Sequence, residues 1–190
     1  MKVYVIGTGT MAKGIVKAFA AKMPVVMKSR TQASIDKAMG SIAKGYAKLV
    51  EKGKMTQEDV DALLKNITTT TDYATFKDAD LVIEAASEDM ALKKEVFAEL
   101  DKICKPEAIF ATNSSSLSIT EIAACTTRPA QFIGMHFFNP ADRMALVEVI
   151  KGQLTSDEVT KCIVDLATSI GKQPVEVKEA PGFVVNRILI

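Results

Sequence analysis

Short apolar runs alternate with longer segments of helical periodicity along the first 112 residues of the chain. Four of these runs have the length of strands: VYVIG, VVMK, DLVIEAA and AIFAT. Apolar positions recur every three or four residues in segments 11–22, 33–52, 55–66 and 88–104. Parallel strands covered on both faces have such nearly continuous apolar runs, and helices connect them. The pattern predicts an α/β fold with a doubly wound, mostly parallel sheet.

The rest of the chain continues this alternation. The further predicted strands are ITTTTDY, QFIGMHFF, ALVEVI and PVEVK. The segment SSLSITEIAAC predicts a short capped helix, and residues 156–171 predict a longer one. We therefore expect one domain over residues 1–180. Residues 181–190, PGFVVNRILI, begin a new element with a proline at the first helical position and stop within an apolar run, so we expect a second, truncated domain there.

Composition and charge exclude several classes of protein. Lys and Arg number 24 against 23 Asp and Glu, which leaves no positive field to hold a nucleic acid. No apolar run approaches the roughly 18 residues of a membrane span, and none has the form of a secretion signal. Cys104, Cys125 and Cys162 lie far apart without metal-type spacing. We expect reduced thiols, no metal and a cytoplasmic location.

A glycine-rich turn follows the first predicted strand and opens the first predicted helix. In GTGTMAKG, Gly7 permits a tight turn, and Gly9 lets the backbone approach a diphosphate. The N–H groups of Thr10 and Met11 then lie at a helix N-terminus, whose partial positive charge suits an anion. Ala12 occupies the third glycine position, where a small residue allows close packing. Glycines also occur in ordinary turns, but this placement favours a dinucleotide site in a Rossmann-type domain.

The end of the second strand bears on the identity of the dinucleotide. An NAD site usually carries an Asp or Glu there, which binds the ribose hydroxyls. This chain has Ser29 or Arg30 at that position, with Lys28 beside them. Because no carboxylate stands at this position, a 2′-phosphate would not be repelled, and the Arg30 guanidinium could bind it. We expect NADP(H) as the preferred cofactor and NAD(H) as the alternative; in the structural interpretation, Lys28 and Arg30 are only solvated charges.

His136 is the only histidine of the chain, and a lone histidine near a strand end is more often structural than catalytic. The strand ALVEVI, however, can return antiparallel to GMHFFNP and bring Glu148 beside the imidazole. A histidine oriented by a carboxylate is a general acid/base unit. Such a unit takes a hydroxyl proton while hydride leaves for a nicotinamide ring. We therefore favour a catalytic pair over a structural histidine and an exposed strand carboxylate.

A polar loop follows the strand AIFAT, where ligands bind in open α/β sheets. The loop contains Asn113, Ser114, Ser115 and Ser116. A serine at this place can hold a substrate oxygen, but the same serines can cap the helix that follows. The residues alone leave both interpretations open.

Six segments, in their order and spacing, resemble the short-chain L-3-hydroxyacyl-CoA dehydrogenases, and especially the bacterial 3-hydroxybutyryl-CoA dehydrogenases. They are GTGTM, LVIEAASEDMALKKEVF, TNSSSLSIT, GMHFFNP, LVEVI and EAPGFVVNRIL. GMHFFNP with APGFVVNR downstream is far more specific than the glycine turn. The resemblance covers essentially the whole chain. It implies reversible oxidation of (S)-3-hydroxybutyryl-CoA, or of another short 3-hydroxyacyl-CoA thioester, to the 3-oxoacyl-CoA.

The resemblance also implies roles for individual residues. The implied catalytic residues are Ser115, His136, Glu148 and Asn186. Glu88 and Lys93 would border the cofactor, and Asn139 would reach its nicotinamide side. Together with the derived positions, the expected cofactor contacts are Gly7, Gly9, Thr10, Met11, Ser29, Arg30, Glu88, Lys93, Asn113, Ser115 and Asn139. The resemblance further implies a homodimer formed through a helical C-terminal domain, of which residues 181–190 would be the start.

Two departures from the family pattern concern the cofactor. Ala12 replaces the third glycine, and Ser29 or Arg30 replaces the ribose-binding aspartate. Both favour NADP over NAD and leave the hydride chemistry untouched. Two other functions stay as alternatives: a dehydrogenase acting on a 3-hydroxy acid without CoA, and a nucleotide-binding module that performs no catalysis in this truncated form.

Overall fold

A computed structural model describes residues 1–180, which contain one eight-stranded sheet and six α-helices. The strands are β1 (Val3–Ile6), β2 (Val25–Lys28), β3 (Ile67–Thr70), β4 (Leu81–Glu84), β5 (Ile109–Thr112), β6 (Phe132–Phe137), β7 (Leu146–Lys151) and β8 (Gln173–Lys178). The α-helices are α1 (Thr10–Ala20), α2 (Gln32–Glu51), α3 (Gln57–Lys65), α4 (Met90–Ile103), α5 (Ile119–Ala123) and α6 (Asp157–Ser169). Among these helices, none combines the length and apolar character needed to span a membrane.

The strand order is β3-β2-β1-β4-β5-β6-β7-β8. The strands from β3 to β6 in this order are parallel, β7 is antiparallel to β6, and β8 is parallel to β7. The chain builds the sheet outward from β1 to β3 and then returns to β4 on the other side of β1. Ligands bind at the carboxyl ends of the strands beside such a reversal. The predicted Rossmann-type, mostly parallel sheet is confirmed.

Alternate side chains of the strands enter two hydrophobic clusters on opposite faces of the sheet. Val3 and Val5 of β1 belong to the cluster that includes α1, α2 and α6, whereas Tyr4 and Ile6 belong to the one that includes α4 and α5. Full burial of one large apolar side chain contributes about 1.5–3 kcal/mol. Because both faces are covered, both sets of strand positions are apolar, which accounts for the uninterrupted runs in the sequence.

Two element boundaries differ from the prediction for the same reason. The run ITTTTDY predicts a single strand, but β3 ends at Thr70 and a 3-10 helix begins at Tyr73, because the Asp72 carboxylate accepts a hydrogen bond from the Ala74 N–H at 2.8 Å. The helix predicted from residue 88 begins at Met90, because Asp89 caps it. Short polar side chains that bind nearby N–H groups fix where such elements start.

Candidate active site

A cleft with two lobes lies at the carboxyl ends of the central strands. The His136 lobe has a volume of about 550 Å³, and the Arg30 lobe has a volume of about 510 Å³. Gly9, Ala86 and Ser87 border both lobes, so the lobes meet where the turns after β1 and β4 approach each other. The predicted site residues that line the His136 lobe are Gly9, Thr10, Met11, Glu88, Lys93, Asn113, Ser115, His136 and Asn139. Those that line the Arg30 lobe are Gly7, Gly9, Ser29 and Arg30.

The glycine turn between the lobes has the geometry that a dinucleotide requires. Gly7 has a φ of 127°, and a Cβ atom there would lie 2.8 Å from the carbonyl oxygen of Ala85. Gly9 is the N-cap of α1, and a Cβ atom there would meet no atom within 4 Å. The backbone of Gly9 is therefore open to approach by a ligand, and the first N–H groups of α1 lie beside the cleft. Ala12 is fully buried beneath this turn.

The Arg30 lobe is polar at the end of β2. Ser29, Arg30, Thr31 and Ser34 border it, and no acidic side chain is found among its lining residues in the described chain. The sequence therefore identified correctly that a carboxylate is missing from this position. These side chains and the turn fit the ribose end of a dinucleotide.

Lys28 is not the solvated strand-end charge that the structural interpretation assumed. Its side chain is only 2% exposed, and its Nζ atom lies 3.3 Å from the centroid of the Tyr73 ring. Burial lowers the pKa of Lys28, while the negative charge of Glu99 opposes this effect. The Lys28–Tyr73 contact forms part of the wall of the Arg30 lobe, and Tyr73 was not predicted from the sequence.

His136 and Glu148 face each other in the antiparallel pair formed by β6 and β7. They are register partners, and the His136 Nδ1 atom lies 2.7 Å from the Glu148 Oε2 atom. The two residues are 6% and 1% exposed. A carboxylate at this distance fixes the orientation of the imidazole ring. The predicted antiparallel return therefore brings the two residues together, and Glu148 is not an exposed strand carboxylate.

Glu88 holds the serine loop that follows β5. Its Oε1 atom accepts hydrogen bonds from the Ser114 hydroxyl at 2.6 Å, the Ser115 N–H at 2.8 Å and the Ser115 hydroxyl at 3.1 Å. The N–H of Ser116 also donates to this oxygen, at 3.2 Å. One carboxylate from the segment before α4 thus fixes the position of Ser115 in the His136 lobe.

The structure also tests the alternative that the serines of this loop cap the helix that follows. Ser118, not the three preceding serines, is the N-cap of α5. Burial alone would raise the pKa of Glu88, but the hydrogen bonds from Ser114 and Ser115, with the charge of Lys93, bring the pKa below its ordinary value. The lowered pKa favours the ionised carboxylate, which is the stronger acceptor of these hydrogen bonds.

Lys93 and Glu84 form a buried ion pair at the wall of the His136 lobe. The Lys93 Nζ atom lies 2.5 Å from Glu84 Oε2 and 3.8 Å from Glu88 Oε2. Glu84 also accepts hydrogen bonds from the Thr112 hydroxyl at 3.1 Å and the Ala86 N–H at 2.8 Å. Glu84 was not predicted as a site residue from the sequence. The signal was a carboxylate inside the apolar run DLVIEAA, nine residues before Lys93.

Three asparagines were predicted in the site. The side-chain oxygen of Asn113 accepts a hydrogen bond from the Phe137 N–H at 2.9 Å, so it joins the ends of β5 and β6 at the border of the His136 lobe. Asn139 borders the same lobe immediately after β6. Asn186 lies outside the described residues.

Comparisons with known proteins agree with this geometry. The model of the family described as 3-hydroxyacyl-CoA dehydrogenase, NAD binding domain, matches residues 2–180. The chain is 54% identical over 191 residues to a 3-hydroxybutyryl-CoA dehydrogenase of Clostridioides difficile, covering all of this chain and 68% of that protein. A probable 3-hydroxybutyryl-CoA dehydrogenase of Deinococcus radiodurans is 46% identical with the same coverage. The solved (S)-3-hydroxybutyryl-CoA dehydrogenase of Ralstonia eutropha has a TM-score of 0.96 and 43% identity, covering 99% of this chain and 67% of that one.

Fold, cleft and comparisons together define the class of the protein as an oxidoreductase that uses a nicotinamide dinucleotide. The particular assignment follows from the match over residues 2–180. The chain belongs to the 3-hydroxyacyl-CoA dehydrogenase family, and it corresponds to about two thirds of the length of the C. difficile and R. eutropha relatives.

Proposed function

We propose that this chain supplies the cofactor-binding and acid/base residues of an enzyme that reversibly oxidises (S)-3-hydroxybutyryl-CoA to acetoacetyl-CoA. The observation that carries the proposal is the buried His136–Glu148 pair, whose histidine borders the same lobe as the N-terminus of α1. The names of the relatives from C. difficile and R. eutropha support the choice of substrate. Nearby acyl chain lengths belong to the same substrate class.

In the proposed oxidation, His136 takes the proton of the 3-hydroxyl group while the hydrogen on C3 leaves as hydride. A bound nicotinamide ring supplies the acceptor for that hydride. Glu148 keeps the imidazole oriented and offsets the positive charge that it gains. In the reverse direction, the imidazolium returns its proton to the oxygen on C3 as hydride arrives.

We assign the remaining site residues to binding. Ser115 contacts the substrate oxygen and the nicotinamide, and Glu88 keeps Ser115 in place through the serine loop. Asn139 lies on the nicotinamide side, and Asn186 polarises the substrate oxygen from the segment outside the described residues. The N-terminus of α1 receives the diphosphate, because its N–H groups have no partners within the helix.

The direct test is acetoacetyl-CoA reduction by the full-length protein, followed through the absorbance of the reduced nicotinamide. We expect turnover with the wild type and a loss of about 100-fold or more in His136→Gln and Glu148→Gln. Dinucleotide Kd should stay within about twofold, because neither side chain binds the phosphates. The matched control is Glu176→Gln, which removes an exposed carboxylate from the neighbouring strand β8 and should leave turnover unchanged.

Three other outcomes would contradict the proposal. Unchanged turnover in His136→Gln would refute the assigned acid/base role. Oxidation of free 3-hydroxybutyrate but not of its CoA thioester would identify the enzyme as one acting on a 3-hydroxy acid. Tight dinucleotide binding without turnover of either compound by the full-length protein would identify a nucleotide-binding module.

We infer further that NADP(H) is preferred over NAD(H). The support is the Arg30 guanidinium at the end of β2, in a lobe whose described lining residues include no carboxylate. Arg30→Gln should raise the Kd of NADPH about tenfold and leave the Kd of NADH unchanged, because only NADPH carries the 2′-phosphate. Equal or better use of NADH by the wild type would discard this preference and keep the reaction.

We also propose that the protein is a cytoplasmic homodimer. The support is the family resemblance. Sedimentation of the full-length protein tests the dimer. A monomer at micromolar concentration would refute it.

A further inference from the structure

The segment 138–145 connects β6 to β7 and carries Asn139 into the His136 lobe; we call it the β6–β7 loop. Lys172, which is 8% exposed, holds this loop at its base. The Lys172 Nζ atom donates hydrogen bonds to the carbonyl oxygens of Ala141 at 2.7 Å and Met144 at 2.8 Å. A buried ammonium with two backbone acceptors gives the loop one defined conformation.

Helix α1 packs directly on the same loop. A Cβ atom on Gly14 would lie 3.0 Å from the Cβ atom and 3.2 Å from the backbone nitrogen of Ala141. Ala141 is 2% exposed. The glycine therefore allows the helix to approach the loop backbone more closely than any other residue would. A side chain larger than that of glycine at position 14 would require α1 or the loop backbone to move.

A polar contact completes this junction. Lys17 on α1 forms an ion pair with Asp142 in the β6–β7 loop, and the two side chains are each 20% exposed. The Lys17 Nζ atom also lies 5.3 Å from the centroid of the Tyr46 ring on α2, which confines the ammonium group. A partly exposed pair stabilises a fold only slightly. Its geometric effect is larger, since it joins two elements 125 residues apart in the chain.

The two elements lead to two different parts of the proposed cofactor site. The N-terminus of α1 begins at Thr10 beside the junction of the two lobes, and the β6–β7 loop carries Asn139 into the His136 lobe. A contact that fixes the loop on α1 therefore fixes the distance between the diphosphate site and the nicotinamide side. Errors of about 1 Å in such positions can cost on the order of 100-fold in rate.

We propose that Lys17 and Asp142 are positioning residues, whose ion pair sets Asn139 at the nicotinamide end of a dinucleotide bound at the N-terminus of α1. This inference rests on the proposed function for the role of Asn139. It deepens that function by naming two residues outside the reacting groups on which cofactor alignment depends.

The test compares ligands with and without the nicotinamide in full-length Asp142→Asn. We expect the Kd of the reduced dinucleotide to rise about fivefold, because the nicotinamide end is no longer aligned. The Kd of the corresponding ADP-ribose, which lacks nicotinamide, should stay within about twofold, and turnover should fall about tenfold. The control is Asp157→Asn, which removes the carboxylate of the Lys151–Asp157 pair at the surface. This variant should change the Kd of neither ligand.

A charge-swapped protein separates positioning from simple stabilisation. Lys17→Asp combined with Asp142→Lys should restore the Kd ratio of the two ligands and most of the turnover, in addition to the Tm. A swap that restores the Tm but not the Kd ratio would overturn the proposal, as would an unchanged ratio in a folded Asp142→Asn. If the wild type proves inactive, the proposed reaction fails, while the two Kd values still decide the positioning role.

Discussion

Gly7 and Gly9 lie two positions apart in one turn, but different constraints require glycine at each. Gly7 combines a positive φ of 127° with a position 2.8 Å from a backbone oxygen, so Gly7→Ala should lower the free energy of unfolding by about 2–3 kcal/mol. Gly9→Ala should leave the Tm unchanged, since its Cβ would meet open space. Its methyl group should instead raise the dinucleotide Kd about tenfold.

Thermal unfolding and fluorescence titration check both variants, and each is the control for the other. A Gly7→Ala protein as stable as the wild type would contradict the turn geometry. Normal dinucleotide binding by Gly9→Ala would contradict a diphosphate at this turn.

Individual site residues differ in how far the sequence could predict them. His136 and Glu148 could be paired in advance, because an antiparallel return between two short strands brings few residues opposite a given histidine. The Lys17–Asp142 ion pair and the hydrogen bonds of Lys172 to the β6–β7 loop could not be predicted in this way. They depend on how α1 and the turn between α6 and β8 lie against the loop after β6, and no local sequence pattern indicates such packing. Lys28 shows the same limit, since a charged residue at a strand end gives no sign of burial.

Helix α4 links the site to the opposite edge of the molecule. Its first turn follows Glu88, whereas its last turn is held by Arg128, whose Nε atom donates to Asp101 Oδ1 at 2.6 Å. The same guanidinium donates to the carbonyl oxygens of Asp101 at 3.0 Å and Lys105 at 2.5 Å. The Asp101 carbonyl group lies in the last turn of α4, where it has no partner within the helix. The arginine binds this group and also the Lys105 carbonyl group just beyond the helix.

Arg128→Lys therefore tests the end of α4 without changing its charge. An ammonium group cannot reach all of these acceptors, so we expect the free energy of unfolding to fall by about 2–4 kcal/mol. Dinucleotide Kd should not change, because Arg128 is absent from the residues that line either lobe. Chemical denaturation measures the loss, and Arg143→Lys, at an exposed arginine, is the control. Equal denaturation midpoints for the wild type and Arg128→Lys would contradict the role of Arg128 in stabilising the end of α4.

Element types were predictable here, but their ends were less so. Six helical periods and eight apolar or alternating runs correspond to the helices and strands of the structure. The start of α4 was placed two residues too early, because the apolar periodicity does not select Asp89 as the cap of the helix. That choice mattered for function, since leaving Glu88 outside the helix allows its carboxylate to bind the serine loop.

At the scale of the whole molecule, several ionised carboxylates contribute to the fold. Hydrogen bonds and nearby cations outweigh the effect of burial and lower the pKa values of Glu88, Asp101 and Glu179. A group whose pKa is lower in the folded state stabilises the protein above its unfolded pKa, and that contribution is lost as pH falls through the folded value. The wild type should therefore lose stability as the pH drops below about 4.5.

Asp101 offers the sharpest test because its side chain is only 8% exposed. Burial alone would raise its pKa, but hydrogen bonds from Thr127 and Arg128 hold the pKa below its ordinary value of 3.8. Asp101→Asn should cost about 2 kcal/mol at pH 7. This difference from the wild type should shrink as pH falls below 3.8, because the wild-type carboxylate then takes up its proton.

Denaturation at pH 7 and at a pH below 3.8 measures this narrowing. The control is Asp157→Asn, because Asp157 also has a lowered pKa but a side chain that is 90% exposed, so solvent screens its pair with Lys151. That variant should differ little from the wild type at either pH. A difference for Asp101→Asn that stays constant with pH would mean that the carboxylate charge does not stabilise the fold, and that Asp101 acts through its shape and hydrogen bonds alone.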